Sequence, residues 1–170
     1  MEQVILVDEQ DCEIGTAEKV SAHRGGGRLH RAFSIFIFND RGELLLQRRA
    51  AGKYHFAGLW SNTCCGHPRP GEATGVAGRR RLGEEFGFDA DLREVASFIY
   101  RADDSASDLT EHEYLHLLVG HYDGPVTPDP AEIENWRWAA PAEIQRDLAA
   151  RPAHYTPWFG GALSRVLETP

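Results

Sequence analysis

Between Gly66 and Phe88 the chain reads GHPRPGEATGVAGRRRLGEEFGF, and few folds can hold such a run. Pro68 and Pro70 cannot donate to a β-ladder, so His67 to Gly71 has to be irregular. The second half has the opposite character. A helix is expected from near Ala73, with Glu72 or Thr74 suited to its first turn, and Gly87 is a C′ residue that ends it in a left-handed turn. Arg81 and Glu85 are four apart and share a helical face, where they can neutralise each other.

The rest of the chain has to supply a platform for this loop and helix. At 170 residues and 42% apolar content it is one ordinary domain with a real core, so residues 1–170 are expected to form a single domain. Val4 to Val7 is a four-residue apolar run flanked by acids, too short for a signal sequence, and no run approaches a membrane span. A cytoplasmic protein is expected, and a monomer. Three cysteines, with Cys64 and Cys65 adjacent, make no disulfide framework and point to a reducing compartment and a possible working thiol. A net charge of −8 argues against nucleic acid or anionic lipid as partner. An anionic small molecule would need a local cationic pocket.

Taken in order, Val4 to Val7 reads as a strand and Asp8 to Gly15 as a turn. Glu18 to His23 is helical or extended, and Gly25 to Gly27 form a flexible loop. Leu29 to Phe38 is a strand buried on both sides at its end, turned by Asn39–Gly42 into Glu43–Arg48 as a hairpin. Lys53 to Leu59 is loop-like and Trp60 to Cys65 reads as another strand. Beyond the helix, Leu92–Arg101 and Glu111–Tyr122 read as strands joined by an acidic loop, and Trp136–Trp138 as an edge strand. Pro141 suits the first turn of a helix closed by Pro152, and Thr156–Glu168 reads as a last helix. The pattern is α/β, a mixed sheet with helices packed on it.

Histidines and acids form a second constellation. His23 and His30 flank the glycine loop, His67 follows Cys65 by two, and Glu111 and Glu113 are two apart. Residues two apart on a strand face one side, so Cys65 with His67, and Glu111 with Glu113, each present a pair to one space. Three imidazoles and two carboxylates suit a five- or six-ligand N/O site for Mn²⁺, Mg²⁺ or Zn²⁺. His55, His112, His116, His121 and His154 read as surface or hydrogen-bonded structural residues, and alternation turns His112 away from its neighbours Glu111 and Glu113. Cys64, opposite Cys65, reads as packing.

The run from Gly66 to Phe88 resembles a Nudix box, G-x5-E-x7-R-E-U-x-E-E-x-G-U with U bulky and apolar. Every fixed position fits but one, Arg81, which stands where the box has glutamate. In Nudix hydrolases that glutamate joins the Glu pair (here Glu84 and Glu85) in binding several Mg²⁺ ions that activate water. With Arg81 the site reads as diphosphate-holding rather than diphosphate-cleaving. Adding HRGGGRLHRAFS, TCCGHP, EHE and the final TPW, the chain resembles type I isopentenyl diphosphate isomerases from about Val4 to Trp158. That resemblance implies a Nudix-type mixed β-sheet sandwiched by helices, and interconversion of isopentenyl and dimethylallyl diphosphate through a tertiary carbocation. It implies His23, His30, His67, Glu111 and Glu113 as ligands of one metal, and Cys65 and Glu113 as the proton-transfer pair, with Tyr100 assisting the acid. It further implies Trp158 lining the allyl pocket, Lys19, Arg49, Lys53 and Arg81 gripping the diphosphate, and a Mg²⁺ held by Glu85. Two other classes stay open at this point: a Nudix pyrophosphohydrolase of a nucleoside or isoprenoid diphosphate, and a non-catalytic prenyl-diphosphate binder.

Overall fold

The computed structural model describes residues 2–170. Its strands are β1 (Gln3–Val7), β2 (Glu13–Glu18), β3 (His30–Phe38), β4 (Leu44–Arg49), β5 (Trp60–Ser61), β6 (Cys64–Gly66), β7 (Leu92–Asp103), β8 (Thr110–His121) and β9 (Ile133–Ala139). The helices are α1 (Lys19–His23), α2 (Thr74–Phe86), α3 (Pro141–Ala150) and α4 (Phe159–Glu168), with a 3₁₀ turn at Pro152–His154.

The apolar run of β3 is central because every neighbour uses it. It pairs antiparallel with β1, β4 and β6, and parallel with β8 over nine residues from His30↔Glu113 to Phe38↔His121. Alternation along β3 serves two cores. Ala32 and Phe36 pack with Leu44, Leu46, Leu117, Phe159 and Leu163, which puts α3 and α4 on one face. Phe33, Ile35 and Ile37 pack with Leu82, Phe86 and Phe88, which puts α2 on the other. The α/β sandwich expected from the sequence is the one observed. Phe33, Phe36, Ile35 and Ile37 are each fully buried, and each such side chain contributes about 1.5–3 kcal/mol of transfer free energy.

The helix after the proline loop forms as read. Gly87 terminates α2 at φ 71°, and its N–H donates to the Gly83 carbonyl. Glu72 lies just before the helix and accepts from Arg80 through both carboxylate oxygens, at 2.8 and 2.9 Å. Gly66, ahead of the loop, has no room for a side chain, because a Cβ there would lie 2.8 Å from the Phe33 ring.

Three expectations are corrected. Asp8 to Gly15 is only in part a turn: Glu13 onward belongs to β2, which pairs with β1 and with no other strand. Its residues are largely exposed, so apolar periodicity carries no trace of it. Trp60 to Cys65 is not one strand but two, β5 on β4 and β6 on β3. Between them Asn62 donates to the carbonyls of Ile35 and Cys64, while Thr63 donates to the Leu45 carbonyl and accepts from the Ile37 N–H. These side chains satisfy backbone groups where β3 and β4, paired only at Phe38↔Leu44, splay apart. The last helix starts at Phe159, not Thr156, because Thr156 N–H donates to the Trp60 carbonyl and holds the segment extended.

Candidate active site

Strand register brings the predicted residues together. His30 opens β3 directly beside Glu113, Tyr100 of β7 lies across from the same Glu113, and Cys65 of β6 faces Ser34. His23 ends α1 and His67 follows β6. Donor atoms of His23, His30, His67, Glu111 and Glu113 lie within 4.8 Å of one another, and all five residues are buried. His67 Nε2 is 3.2 Å from His30 Nε2 and 3.1 Å from Glu113 Oε1, and His23 Nε2 is 3.2 Å from Glu111 Oε2.

The outer ring nitrogens explain the orientation. His23 Nδ1 donates to the Lys19 carbonyl at 2.7 Å, and His30 Nδ1 to the Arg28 carbonyl at 2.8 Å. Both Nε2 atoms then face inward, and two imidazole nitrogens 3.2 Å apart beside buried carboxylates form a donor set suited to a divalent cation. Burial drives His30 down to about 4 and His67 well below its ordinary value, so neither ring carries a proton that would compete. Burial also lowers His23, but its hydrogen bond and charge contact with Glu111 outweigh this and raise it.

The two carboxylates differ in protonation. Burial pushes both upward. For Glu113 the neighbouring charge of Glu111 adds to it, and the carboxyl sits well above the usual range. For Glu111 the bonds from His23 and His55 win, and it stays ionised. The two carboxyls are thus drawn in opposite directions, Glu113 toward its neutral form and Glu111 toward its anion. Burial likewise raises the Cys65 thiol, whose Sγ lies 3.4 Å from both Ser34 Oγ and Asn62 Oδ1.

Cys65, His67, Glu111, Glu113 and Trp158 line one cavity of about 110 Å³ together with Lys19, Arg49, Lys53 and Arg81. Trp158 is 4% exposed and donates to Asn62 Oδ1 at 3.1 Å, with Tyr100 edge-on to it at 6.2 Å. Each cation of the other end has a carboxylate except Arg49. Lys19 pairs with Glu2 at 3.0 Å, Lys53 with Glu132, and Arg81 with Glu84 at 2.5 Å, with Glu85, and with Glu132 at 3.4 Å. Arg49, buried, donates to the His55 carbonyl at 3.1 Å and lies 5.8 Å from the Trp158 ring. Glu85 stands apart from the five-residue cluster. Its carboxylate accepts from Arg81 and, at 2.9 Å, from Gln47.

Among the described residues, the buried side-chain atoms lacking any hydrogen-bond partner are Arg49 Nε, His55 Nδ1 and Tyr100 Oη. Unpaired buried polar atoms are costly. Arg49 and His55 both line this cavity and Tyr100 packs on its tryptophan, so the cost falls where a polar ligand would relieve it.

Two participants escaped the sequence. His55, read there as a plain structural histidine, donates through Nε2 to Glu111 Oε1. Asn62 is fully buried and joins Cys65, Trp158, Ser61 and two backbone carbonyls. Its place in the polar run Ser61–Asn62–Thr63, just ahead of the paired cysteines, was the signal available for it. His112 faces away as expected, its Nδ1 on the Gly27 carbonyl.

This fold and site define a Nudix-type protein whose box helix carries an internal cation and whose His/Glu cluster, His67 apart, lies outside the box. The NUDIX domain family matches residues 28–159. The solved structure of DR0079 from Deinococcus radiodurans is similar, with a TM-score of 0.72 over 88% of this chain and 90% of that one at 24% identity. A MutT NUDIX hydrolase from Burkholderia pseudomallei follows with a TM-score of 0.65 over 82% and 98% at 21% identity. At such identities these two speak for the fold alone. In sequence the chain is 58% identical to the isopentenyl-diphosphate Delta-isomerase of Halorhodospira halophila, over 94% of this chain and 91% of that protein. It is 53% identical to that of Burkholderia multivorans, over 97% and 93%. The chain belongs to the isopentenyl-diphosphate Delta-isomerase family within the NUDIX fold.

Proposed function

We propose that this protein interconverts isopentenyl and dimethylallyl diphosphate. The observation that carries the reading is one cavity with two ends: a buried His/Glu cluster beside Cys65, and four cations a short way off. The relatives' name and their coverage of nearly the whole chain support it.

Isomerisation needs a proton delivered to the terminal methylene of an unactivated alkene and another removed from the carbon beside the diphosphate-bearing one, through a tertiary cation. Glu113 and Cys65 are the pair we assign. One, protonated, forms the new C–H bond. The other, in its base form, takes the proton whose loss creates the internal double bond. No proton is gained overall, and the pair ends with its protonation reversed. In the reverse reaction the same two groups exchange roles. Tyr100, across the ladder from Glu113, assists the acid with its otherwise unpaired hydroxyl, and the Trp158 face steadies the cation by roughly 0.5–2 kcal/mol. Burial excludes the water that would otherwise capture such a cation.

The His/Glu cluster suits Mn²⁺, Mg²⁺ or Zn²⁺, which when bound would sharpen the acidity of a carboxyl ligand. At the other end Lys19, Arg49, Lys53 and Arg81 hold the diphosphate, and Glu85 would hold a Mg²⁺ that supplies further positive charge to it. The reading includes residues 1–170 as one isomerase domain, a cytoplasmic monomer acting on a free small molecule. Three unpaired cysteines agree with a reducing compartment, and among the described residues no helix is long and apolar enough to cross a membrane. Hydrolysis is disfavoured because Arg81 neutralises the box carboxylates.

The test is incubation with isopentenyl diphosphate and Mg²⁺ in D₂O. Deuterium in dimethylallyl diphosphate without phosphate release is expected. Released phosphate would select a pyrophosphohydrolase, and bound but unlabelled substrate a non-catalytic binder.

A further inference from the structure

We propose that His55 is a positioning residue: its ring N–H aims the Glu111 carboxylate into the histidine cluster and ties that carboxylate to the loop bearing Lys53. The inference rests on the reading of the cluster as a metal centre.

Glu111 is 3% exposed and its two oxygens are divided, Oε2 toward His23 at 3.2 Å and Oε1 accepting from His55 Nε2. His55 is therefore the group that fixes the rotation of this carboxylate from behind. It is not itself in the set of donor atoms that converge within 4.8 Å. The ring has little freedom. It stacks on Tyr54 with centroids 4.0 Å apart, and Tyr54 in turn meets the His23 ring edge-on at 5.9 Å. The next residue, Phe56, has φ 48°, unusual for a side chain of its size, and its N–H donates to Asp104 Oδ2 at 3.3 Å.

The same short segment reaches the other end of the cavity. The His55 carbonyl accepts from Arg49 at 3.1 Å, and Lys53, two residues earlier, pairs with Glu132. A diphosphate that draws on Arg49 and Lys53 thus acts on the segment whose imidazole holds Glu111. Hydrogen bonds behind a metal-binding side chain typically change metal affinity 10–100-fold.

Two substitutions separate this role from simple filling of space. His55→Phe keeps a ring to stack on Tyr54 and has no donor. His55→Gln keeps an N–H donor and loses the ring. The probe is Mn²⁺ alone, its free concentration followed by electron paramagnetic resonance during titration of the full-length protein, with cooperative melting as the check on folding. We expect roughly 10–100-fold weaker Mn²⁺ binding for His55→Phe and a loss of only a few-fold for His55→Gln. Should the Phe variant not fold, His55→Leu takes its place in the comparison. Binding by the donor-free variant as tight as wild type, or tighter than by His55→Gln, overturns the proposal. A wild-type protein that takes up no Mn²⁺ overturns the metal reading beneath it, a distinct result.

Discussion

Arg81→Glu would write the missing letter of the Nudix box into this chain, and the surroundings set its cost. Arg81 meets Glu84 at 2.5 Å, Glu132 at 3.4 Å, and Glu85, whose side chain is 4% exposed against 19% for the arginine. Removing one partner of a buried ion pair costs about 3–5 kcal/mol, and the arginine's partial exposure points to the lower end, about 3 kcal/mol. At ~2–4 °C per kcal/mol for a chain of this length, Arg81→Gln should melt about 6–12 °C below wild type. Arg81→Glu should fall further, because it places a fourth carboxylate among three. Such a group is an oxygen-rich site for a hard cation. Mg²⁺ at about one hundred times its Kd would return about 2.7 kcal/mol. The assay is thermal unfolding of the wild type and both variants in EDTA and across a Mg²⁺ series. The wild type serves as baseline for ions taken up elsewhere. Excess Mg²⁺ stabilisation is expected in the Glu variant and little in the Gln variant, with weakened diphosphate binding and no acquired hydrolysis required. If Arg81→Glu in EDTA melts within about 2 °C of wild type, the view of Arg81 as a built-in cation is wrong.

Cys65→Ala should abolish isomerisation with less than about 1.5 kcal/mol change in stability, since a small side chain is lost; turnover at the wild-type rate would remove the thiol from the mechanism. Asn62→Leu removes its donations to the Ile35 and Cys64 carbonyls and takes the acceptor from the Trp158 N–H; it should cost about 1–3 kcal/mol for the stranded donor and slow turnover, seen in denaturant unfolding and kinetics. Glu72 is held below its ordinary 4.5 chiefly by the Arg80 hydrogen bonds. A depressed carboxyl stabilises fully above its unfolded value and loses that contribution as pH falls through the folded one. Glu72→Gln should therefore be less stable than wild type near neutrality, with the gap narrowing below pH 4.5 in urea titrations.

How much of this was legible in the sequence depended on which forces carry a periodic trace. β3, α2 and the β7–β8 pair announce themselves through apolar runs, a glycine stop and alternation, and they carry His30, Arg81, Glu85, Tyr100, Glu111 and Glu113 of the residues predicted for the site. β2 left no such trace because its stability comes from backbone pairing with β1 and not from burial. The break at Asn62–Thr63 was invisible for a related reason: the polar side chains there satisfy strand backbones that sequence patterns assume pair with each other. The contact of His55 with Glu111 could not be read locally because the two are 56 positions apart. Nothing local distinguishes His55 from a surface histidine.

The parallel pairing of β3 with β8 has a consequence for how the protein is made. His23 and Glu111 meet across 88 positions, and His67 reaches Glu113 across 46. A His/Glu cluster gathered from such distant stretches cannot exist on the emerging polypeptide until about two thirds of it has been synthesised and β8 has been laid alongside β3. Whatever cation it takes would then act as a late clasp, fastening α1 and the start of β3 to β8 and rewarding only a chain that has reached that strand.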